Sequence, residues 1–176
     1  MPARYHLTSE FRFTSPREAV WNRLLNLPEW PSWWRWSKRM DEVQPPSGDQ
    51  RLGGAYRHRV GSPLGYGFSY TGTVARVDPL RLLELASTGD LEGTARFVLT
   101  DAVEGGTELS FVWLAHTPRW WMNIMAPIAR PMFTWNHDKL MTDFGRGLAA
   151  ATGGRLVTVS NAAVKPGSVG FFRMPS

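Results

Sequence analysis

Apolar side chains recur at spacings of three and four residues between positions 133 and 148, which predicts one face of a long helix. The residues on this face are Phe133, His137, Leu140, Met141, Phe144 and Leu148. The helix is predicted to begin near Trp120 and to end at Gly153-Gly154, because glycine adopts the left-handed conformation that closes a helix. Between residues 120 and 132 the predicted helix has apolar side chains on nearly every side. This segment contains Pro127 and Pro131, which predict a kink or a break in the helix.

The residues before this helix alternate between apolar and polar positions in a series of short runs. Tyr5–Phe13 has a period of two and predicts a half-buried strand, and Ser15-Pro16 predicts an N-capped helix start. A second short helix is expected after Leu27. Six further strands are predicted, separated by Gly, Pro, Asp and Ser turns, at residues 36–43, 55–60, 68–77, 82–87, 93–99 and 107–116. Such short connections require antiparallel neighbours.

This order of elements predicts an α+β fold in which a curved antiparallel β-sheet wraps around the long C-terminal helix, with the order β-α-α-β-β-β-β-β-β-α. We expect one domain over residues 1–154. Residues 155–176 are expected to form a loosely held tail. The β-like run at residues 156–159 within this tail is expected to add one edge strand to the sheet. A strongly curved sheet on one helix leaves room for a ligand cavity between them.

Several stretches together resemble the START-like superfamily, in particular its polyketide cyclase/dehydrase and lipid transport group (SRPBCC). They are Phe11 and Phe13 followed by Ser15-Pro16, the Val20-Trp21 pair, the stretch from Glu29 to Trp34, the Gly89-Asp90 turn, and residues Trp135–Asp138 with Met141. The resemblance covers roughly residues 3–148 and implies a helix-grip fold that encloses a hydrophobic pocket. Proteins of this outline bind lipids, cyclise polyketides or act as hydrolases, so the fold alone does not define the function.

The composition narrows the function further. Nine Trp and nine Phe favour either an aromatic core or a pocket for an aromatic or lipid-like ligand. The 20 basic residues exceed the 15 acidic ones by five, but they are scattered, which indicates a solvated surface rather than a nucleic-acid interface. Cys is absent and no apolar run reaches the roughly 20 residues that span a bilayer, so we expect a cytoplasmic protein.

Common catalytic chemistries find no support in the sequence. No Cys and no Gly-x-Ser-x-Gly stretch is present to supply a nucleophile. The four histidines, at positions 6, 58, 116 and 137, lack the spacing of metal ligands, so neither a metal nor another cofactor is expected.

His137 is the candidate catalytic residue, because an imidazole titrates near neutral pH and this one lies within the apolar face of the long helix. In the alternative interpretation, its ring bonds a strand carbonyl or a tyrosine and only stabilises the fold. Arg57 or Arg59 is expected either to anchor a ligand oxygen or to be exposed, and the same alternatives apply to His58 and Tyr70.

Two functional hypotheses follow. In the first, the cavity binds a small hydrophobic ligand of the lipid-like, aromatic or polyketide class; in the second, it belongs to a polyketide cyclase/dehydrase-type enzyme in which His137 transfers a proton. The sequence leaves open whether any reaction is catalysed. The predicted ligand-binding residues are Trp34, Trp36, Arg57, Tyr70, Phe111, Trp113, Phe133, His137 and Met141.

The apolar segment before the helix also predicts how a ligand enters. Trp120, Trp121, Met122 and Met125 are expected to form a flap over the pocket, to contact a membrane surface transiently, or to pair two copies of the chain. In the alternative interpretation, they pack between the last strand and the helix.

Overall fold

The computed structural model describes the backbone of residues 4–116 and 120–164, and the side chains of residues 6–116 and 134–162. Its first elements are β1 (Arg4–Phe13), α1 (Arg17–Leu25), a 3₁₀ turn (Leu27–Glu29) and α2 (Trp30–Trp33). The strands that follow are β2 (Ser37–Gln44), β3 (Ala55–Val60), β4 (Phe68–Asp78), β5 (Leu82–Gly89), β6 (Glu92–Asp101) and β7 (Thr107–His116). The chain then forms α3 (Trp120–Ala151) and β8 (Leu156–Val164).

The eight strands of the described residues form one antiparallel sheet in the order β2-β3-β4-β5-β6-β7-β1-β8. Six of them follow one another along the chain, as short connections require, and the predicted helix-grip fold is confirmed. Residues 156–164 pair with β1 as an edge strand. The domain boundary at residue 154 stays a prediction.

The core lies between the sheet and the three helices. Phe144 and Leu148 of α3 are fully buried, as are Val20 and Leu24 of α1 and Trp30 of α2. The close approach of α2 and α3 depends on Gly147, because a Cβ at this position would collide with the backbone carbonyl of Trp33. A glycine is therefore required where the two helices touch.

The end of α3 matches its sequence signal. Gly153 has a φ of 70°, its N–H donates to the carbonyl of Ala150, and the N–H of Gly154 donates to the carbonyl of Ala149. These two bonds make a Schellman motif, which satisfies carbonyls that the helix leaves free.

The start of α1 differs from the prediction. No side chain caps this helix, and Pro16 occupies its N-cap position. The hydroxyl of Ser15 instead lies 2.6 Å from that of Thr152 and so ties the start of α1 to the end of α3. The capping prediction was wrong because a tertiary partner competes with the local backbone for the same hydroxyl.

The predicted break in α3 is absent, since the helix runs without interruption through Pro127 and Pro131. Each proline removes only its own N–H donor, and a helix can continue past it with a bend. A bend at these residues stays a prediction.

Candidate functional site

Two of the predicted ligand-binding tryptophans serve to fix α3. The Nε1 of Trp34 donates to the carbonyl of Leu140 at 3.1 Å, and the Nε1 of Trp36 donates to the carboxylate of Asp143 at 2.7 Å. Trp34 is buried, and its ring centroid lies 5.3 Å from that of Phe144. Both indole donors are used by the fold, so neither is free to bind a ligand oxygen.

The strand that carries Arg57 turns this side chain away from the core. Tyr56, His58 and Val60 are buried on one face of β3, whereas Arg57 and Arg59 are exposed on the other. Alternate residues of a strand face opposite sides. Arg57 therefore does not line the space between sheet and helix, and its prediction as a ligand-binding residue is corrected.

A buried hydrogen-bonded chain lies on the inner face instead. The Nε2 of His58 lies 2.7 Å from the hydroxyl of Ser37, and its Nδ1 lies 2.9 Å from the hydroxyl of Tyr70. His58 is 1% exposed, and burial lowers its pKa to about 3, so the ring is neutral at physiological pH. Burial also raises the pKa of Tyr70.

Sequence reasoning left the role of His58 open and did not find Ser37. The alternation of β3 places His58 with Tyr56 and Val60, which is the only signal that could have assigned it to the core. Its partner Tyr70 is the residue directly opposite on β4. This pairing can be recognised only when the register of β3 and β4 is known.

An aromatic wall covers the neighbouring part of the inner face. The ring centroid of Trp113 lies 5.4 Å from that of Tyr70, 6.3 Å from that of Phe111 and 6.4 Å from that of Phe68. Trp113 and Phe111 are buried, while Tyr70 and Phe68 are partly exposed. The Nε1 of Trp113 is buried and has no hydrogen-bond partner among the described residues.

His137 lies inside, as predicted from its place on α3. His137 is 7% exposed, and neither of its ring nitrogens has a hydrogen-bond partner in the part of the chain that the structure describes. The structural alternative, a bond to a strand carbonyl or tyrosine, is therefore not seen there. Met141 lies one turn further along and is also buried. Phe133 falls outside the residues with described side chains.

The nearest charge to His137 belongs to its neighbour in sequence. The Nδ1 of His137 is 3.6 Å from the Oδ1 of Asp138, which is too far for a hydrogen bond. Burial holds the pKa of His137 below its ordinary value, and the Asp138 carboxylate opposes this effect. We expect a neutral imidazole that can accept a proton or donate one hydrogen bond.

Further unpartnered polar atoms lie at the same level of the helix–sheet interface. Asn161 of β8 is the register partner of Ser9 in β1, and its amide donates to the carbonyl of Asp138 at 3.5 Å. The hydroxyl of Ser9 and the Oδ1 of Asn161 are buried without partners among the described residues. Leu7, two residues from Ser9, pairs with Trp113. The register thus places Ser9 and Asn161 beside each other, with Trp113 two residues along β7 from the partner of Ser9. The bond from Asn161 to Asp138 brings this pair against α3, one residue from His137.

We call this set the polar level: Ser9, Trp113, Asn136, His137 and Asn161. Each member has at least one buried polar side-chain atom that no described residue satisfies. Buried polar atoms are nearly always paired, so the partners of this set are water, a ligand or residues outside the described side chains.

Two other features limit the chemistry of the described residues. They contain no group of three His, Cys, Asp or Glu side chains that could hold a metal ion. None of their helices is long and apolar enough to cross a bilayer. The predicted membrane or dimer surface at Trp120, Trp121, Met122 and Met125 lies outside the residues with described side chains.

The fold is similar to that of several solved structures. The Zhui aromatase/cyclase from Streptomyces sp. R1128 superposes with a TM-score of 0.67 and 13% identity, over 85% of this chain and 94% of that chain. A START superfamily protein from Mycobacterium smegmatis has the same TM-score and identity, over 85% and 97% of the two chains. The di-domain ARO/CYC StfQ of the steffimycin biosynthetic pathway has a TM-score of 0.62 and 12% identity, over 85% and 51%.

At these identities the similarity establishes the fold alone. No characterised protein with a curated description resembles the sequence closely enough to count as a match. Residues 14–142, however, match the family model described as activator of Hsp90 ATPase homolog 1-like protein. This range holds β2 to β7 and three members of the polar level, Trp113, Asn136 and His137. The chain therefore belongs to the activator of Hsp90 ATPase homolog 1-like family, with the START-like fold that its sequence pattern predicts.

Proposed function

We propose that this protein binds a small hydrophobic ligand that carries one or more oxygen atoms, between α3 and the inner face of the sheet. The polar level is the observation that carries the proposal. It combines unpartnered donors and acceptors with an apolar surround, which is the usual composition of a ligand site. A polyketide-like or hydroxylated aromatic compound has matching chemistry, and two proteins of similar structure, the Zhui aromatase/cyclase and the di-domain ARO/CYC StfQ, are in keeping with it.

The position of the site follows from where the core is already full. Around Phe144, the ring centroids of Phe11, Trp30, Trp33, Trp34 and Phe97 lie between 5.3 and 6.1 Å away. This packing leaves no room for a ligand around Phe144. We therefore place the ligand at the N-terminal side of Met141, against the aromatic wall of Tyr70, Phe111 and Trp113.

Comparison of two matched compounds tests the proposal. We expect 1-naphthol to bind and to quench tryptophan fluorescence, and naphthalene to bind more weakly because it leaves the polar level without partners. Replacing His137 with Leu should weaken 1-naphthol binding about tenfold, since about 1–1.5 kcal/mol accompanies one lost hydrogen bond, and should leave naphthalene binding unchanged.

Trp135 offers the matched control. It lies two residues before His137 on α3 but is 45% exposed, so Trp135→Phe should change the binding of neither compound. Failure of both compounds to bind at their solubility limit would end the proposal, and equal binding of the two would remove the role of the polar level.

A catalytic role is the second candidate function, and the burial of His137 favours it. A neutral imidazole inside an apolar site can take a proton from the carbon beside a ketone, which is the first step of an intramolecular aldol cyclisation. The enolate carbon then attacks a second carbonyl carbon of the same molecule, which forms the new C–C bond and turns that carbonyl oxygen into an alkoxide. The alkoxide takes the proton back from the imidazolium, and the resulting hydroxyl leaves as water together with a hydrogen from the neighbouring carbon. The aromatase/cyclase neighbours give this reaction class a structural precedent.

A synthetic linear poly-β-ketone would test this reaction. The full-length protein should accelerate the formation of a cyclised product that is lighter by one water molecule, measured by mass spectrometry. His137→Gln keeps a hydrogen-bonding side chain but cannot act as a base near neutral pH, so the rate should fall by about a hundredfold. A rate equal to that without protein would leave only the binding function.

A further inference from the structure

The two edges of the sheet differ in their protection against another chain. The outer strand β2 carries Lys38, Arg39, Asp41 and Glu42, and charges of this kind discourage edge-to-edge pairing. β8, at the opposite edge, has no charged residue among its nine. Within the described residues, no strand pairs with its outer side. With respect to the described strands, the outer edge of β8 therefore offers main-chain donors and acceptors without the charges that usually discourage pairing.

A groove of about 470 Å³ runs along this edge, between β8 and the outer surface of α3. Small side chains form much of its wall, and two arginines contribute the only charges of the lining. The lining residues are Thr142, Arg146, Ala149, Ala150, Gly154, Arg155, Leu156, Val157, Thr158 and Val159. The groove thus lies where a strand added to β8 would pass.

The arginines are only weakly neutralised by the fold. The side chain of Arg146 is 71% exposed, and its nearest carboxylate, from Asp143, lies 3.7 Å away. That carboxylate already accepts the indole N–H of Trp36. Arg155 is exposed, and its side chain has no ion pair in the described part of the chain. The groove therefore presents a local excess of positive charge.

This charge separates the occupants that could lie on the edge. A second copy would bring an identical groove, whose lining holds two arginines and no carboxylate, so it would add positive charge. Residues 165–176 of the chain contain Lys165 and Arg173 but no Asp or Glu, so they would also add positive charge. An acidic segment from another protein would instead bring carboxylates to Arg146 and Arg155, which neither a second copy nor residues 165–176 would do.

We propose that the outer edge of β8 binds an extended acidic peptide of a partner protein, which pairs with β8 as an additional strand. The main-chain bonds of β-augmentation would supply affinity, and the carboxylates would contact Arg146 and Arg155. This site lies on the outer surface, apart from the polar level, and does not depend on the ligand.

Two peptides of opposite charge test the surface with the full-length chain. One is an acetylated and amidated peptide of alternating valine and glutamate, about eight residues long so as to match β8. The other has lysine in place of glutamate. We expect the glutamate peptide to bind at least about tenfold more tightly in fluorescence anisotropy at low salt. Its carboxylates are attracted to Arg146 and Arg155, whereas the lysines of the other peptide are repelled by them.

A charge-reversed variant provides the matched control. Arg146→Glu combined with Arg155→Glu should reverse the preference, so that the lysine peptide binds more tightly. Both side chains are exposed, and circular dichroism should show an unchanged fold. A glutamate peptide that is N-methylated at alternate residues keeps its charge but loses main-chain donors, and it should bind about tenfold more weakly.

Three results would overturn the proposal. They are binding of neither peptide, equal binding of both by the wild-type chain, and an unchanged preference in the charge-reversed variant. Equal binding of the methylated and unmethylated peptides would contradict strand addition. Self-association of the chain that excludes the glutamate peptide would show that a second copy occupies the edge.

Discussion

Replacing Phe144 with alanine is expected to lower the free energy of unfolding by about 3–5 kcal/mol. Phe144 is 1% exposed and lies on α3 where rings from β1, β6 and the α2 region converge. Its removal leaves a cavity that surrounding indoles are too rigid to fill. Urea unfolding followed by tryptophan fluorescence measures the change.

Trp135→Ala supplies the control for this loss. The variant removes a larger side chain from the same helix, but from a position that is 45% exposed, so we expect a change of less than about 1 kcal/mol. Comparable losses in the two variants would mean that the Phe144 cluster is not the centre of the core.

The strand pattern of this protein was readable from sequence because it depends on local information. Ala55–Val60 and Thr107–His116 have the bounds that their alternation predicts. The end of α3 is equally local, since Gly153 has the positive φ that its residue type favours. The short turns then leave little choice of neighbours, which explains why the antiparallel succession of β2 to β7 could be predicted. The place of β1 between β7 and β8 depends on long-range pairing that the turns do not contain.

The candidate site depends on pairings that periodicity does not contain. Alternation places His58 on the face of Tyr56 and Val60 and Arg57 on the other, but it does not give the partners of His58. The neighbours of His58, namely Ser37 and Tyr70, lie 21 and 12 residues away along the chain. Ser9 and Asn161 are brought together only by the pairing of β1 with β8.

The indole donors show a similar limit. Nothing in the sequence distinguishes Trp34 and Trp36, which bond to α3, from Trp113, whose Nε1 has no partner among the described residues. All three were predicted to bind ligand. Only the geometry shows which donors the fold has already used, and this distinction moves the proposed site toward Trp113 and His137.

The stability of the protein is expected to fall steeply as the pH decreases from 7 to 4, by about 3 kcal/mol from His58 alone. In the unfolded chain this imidazole has a pKa near 6.5, whereas burial lowers its pKa to about 3 in the folded state. Between these values the unfolded chain binds a proton that the folded chain does not. The contribution is complete above the unfolded pKa and is lost as the pH falls toward the folded one.

Comparison of wild type with His58→Gln isolates this effect. Glutamine can still bond Ser37 and Tyr70 but does not titrate, so the variant should be less stable at pH 7 and should depend less on pH below 6.5. Carboxylates and His137 are present in both proteins, and their contributions cancel in the difference. Urea unfolding at half-unit intervals between pH 7 and pH 4 measures both curves. Parallel curves would show that His58 is protonated in the fold, and its bonds to Ser37 and Tyr70 would then be those of an imidazolium that donates from both nitrogens.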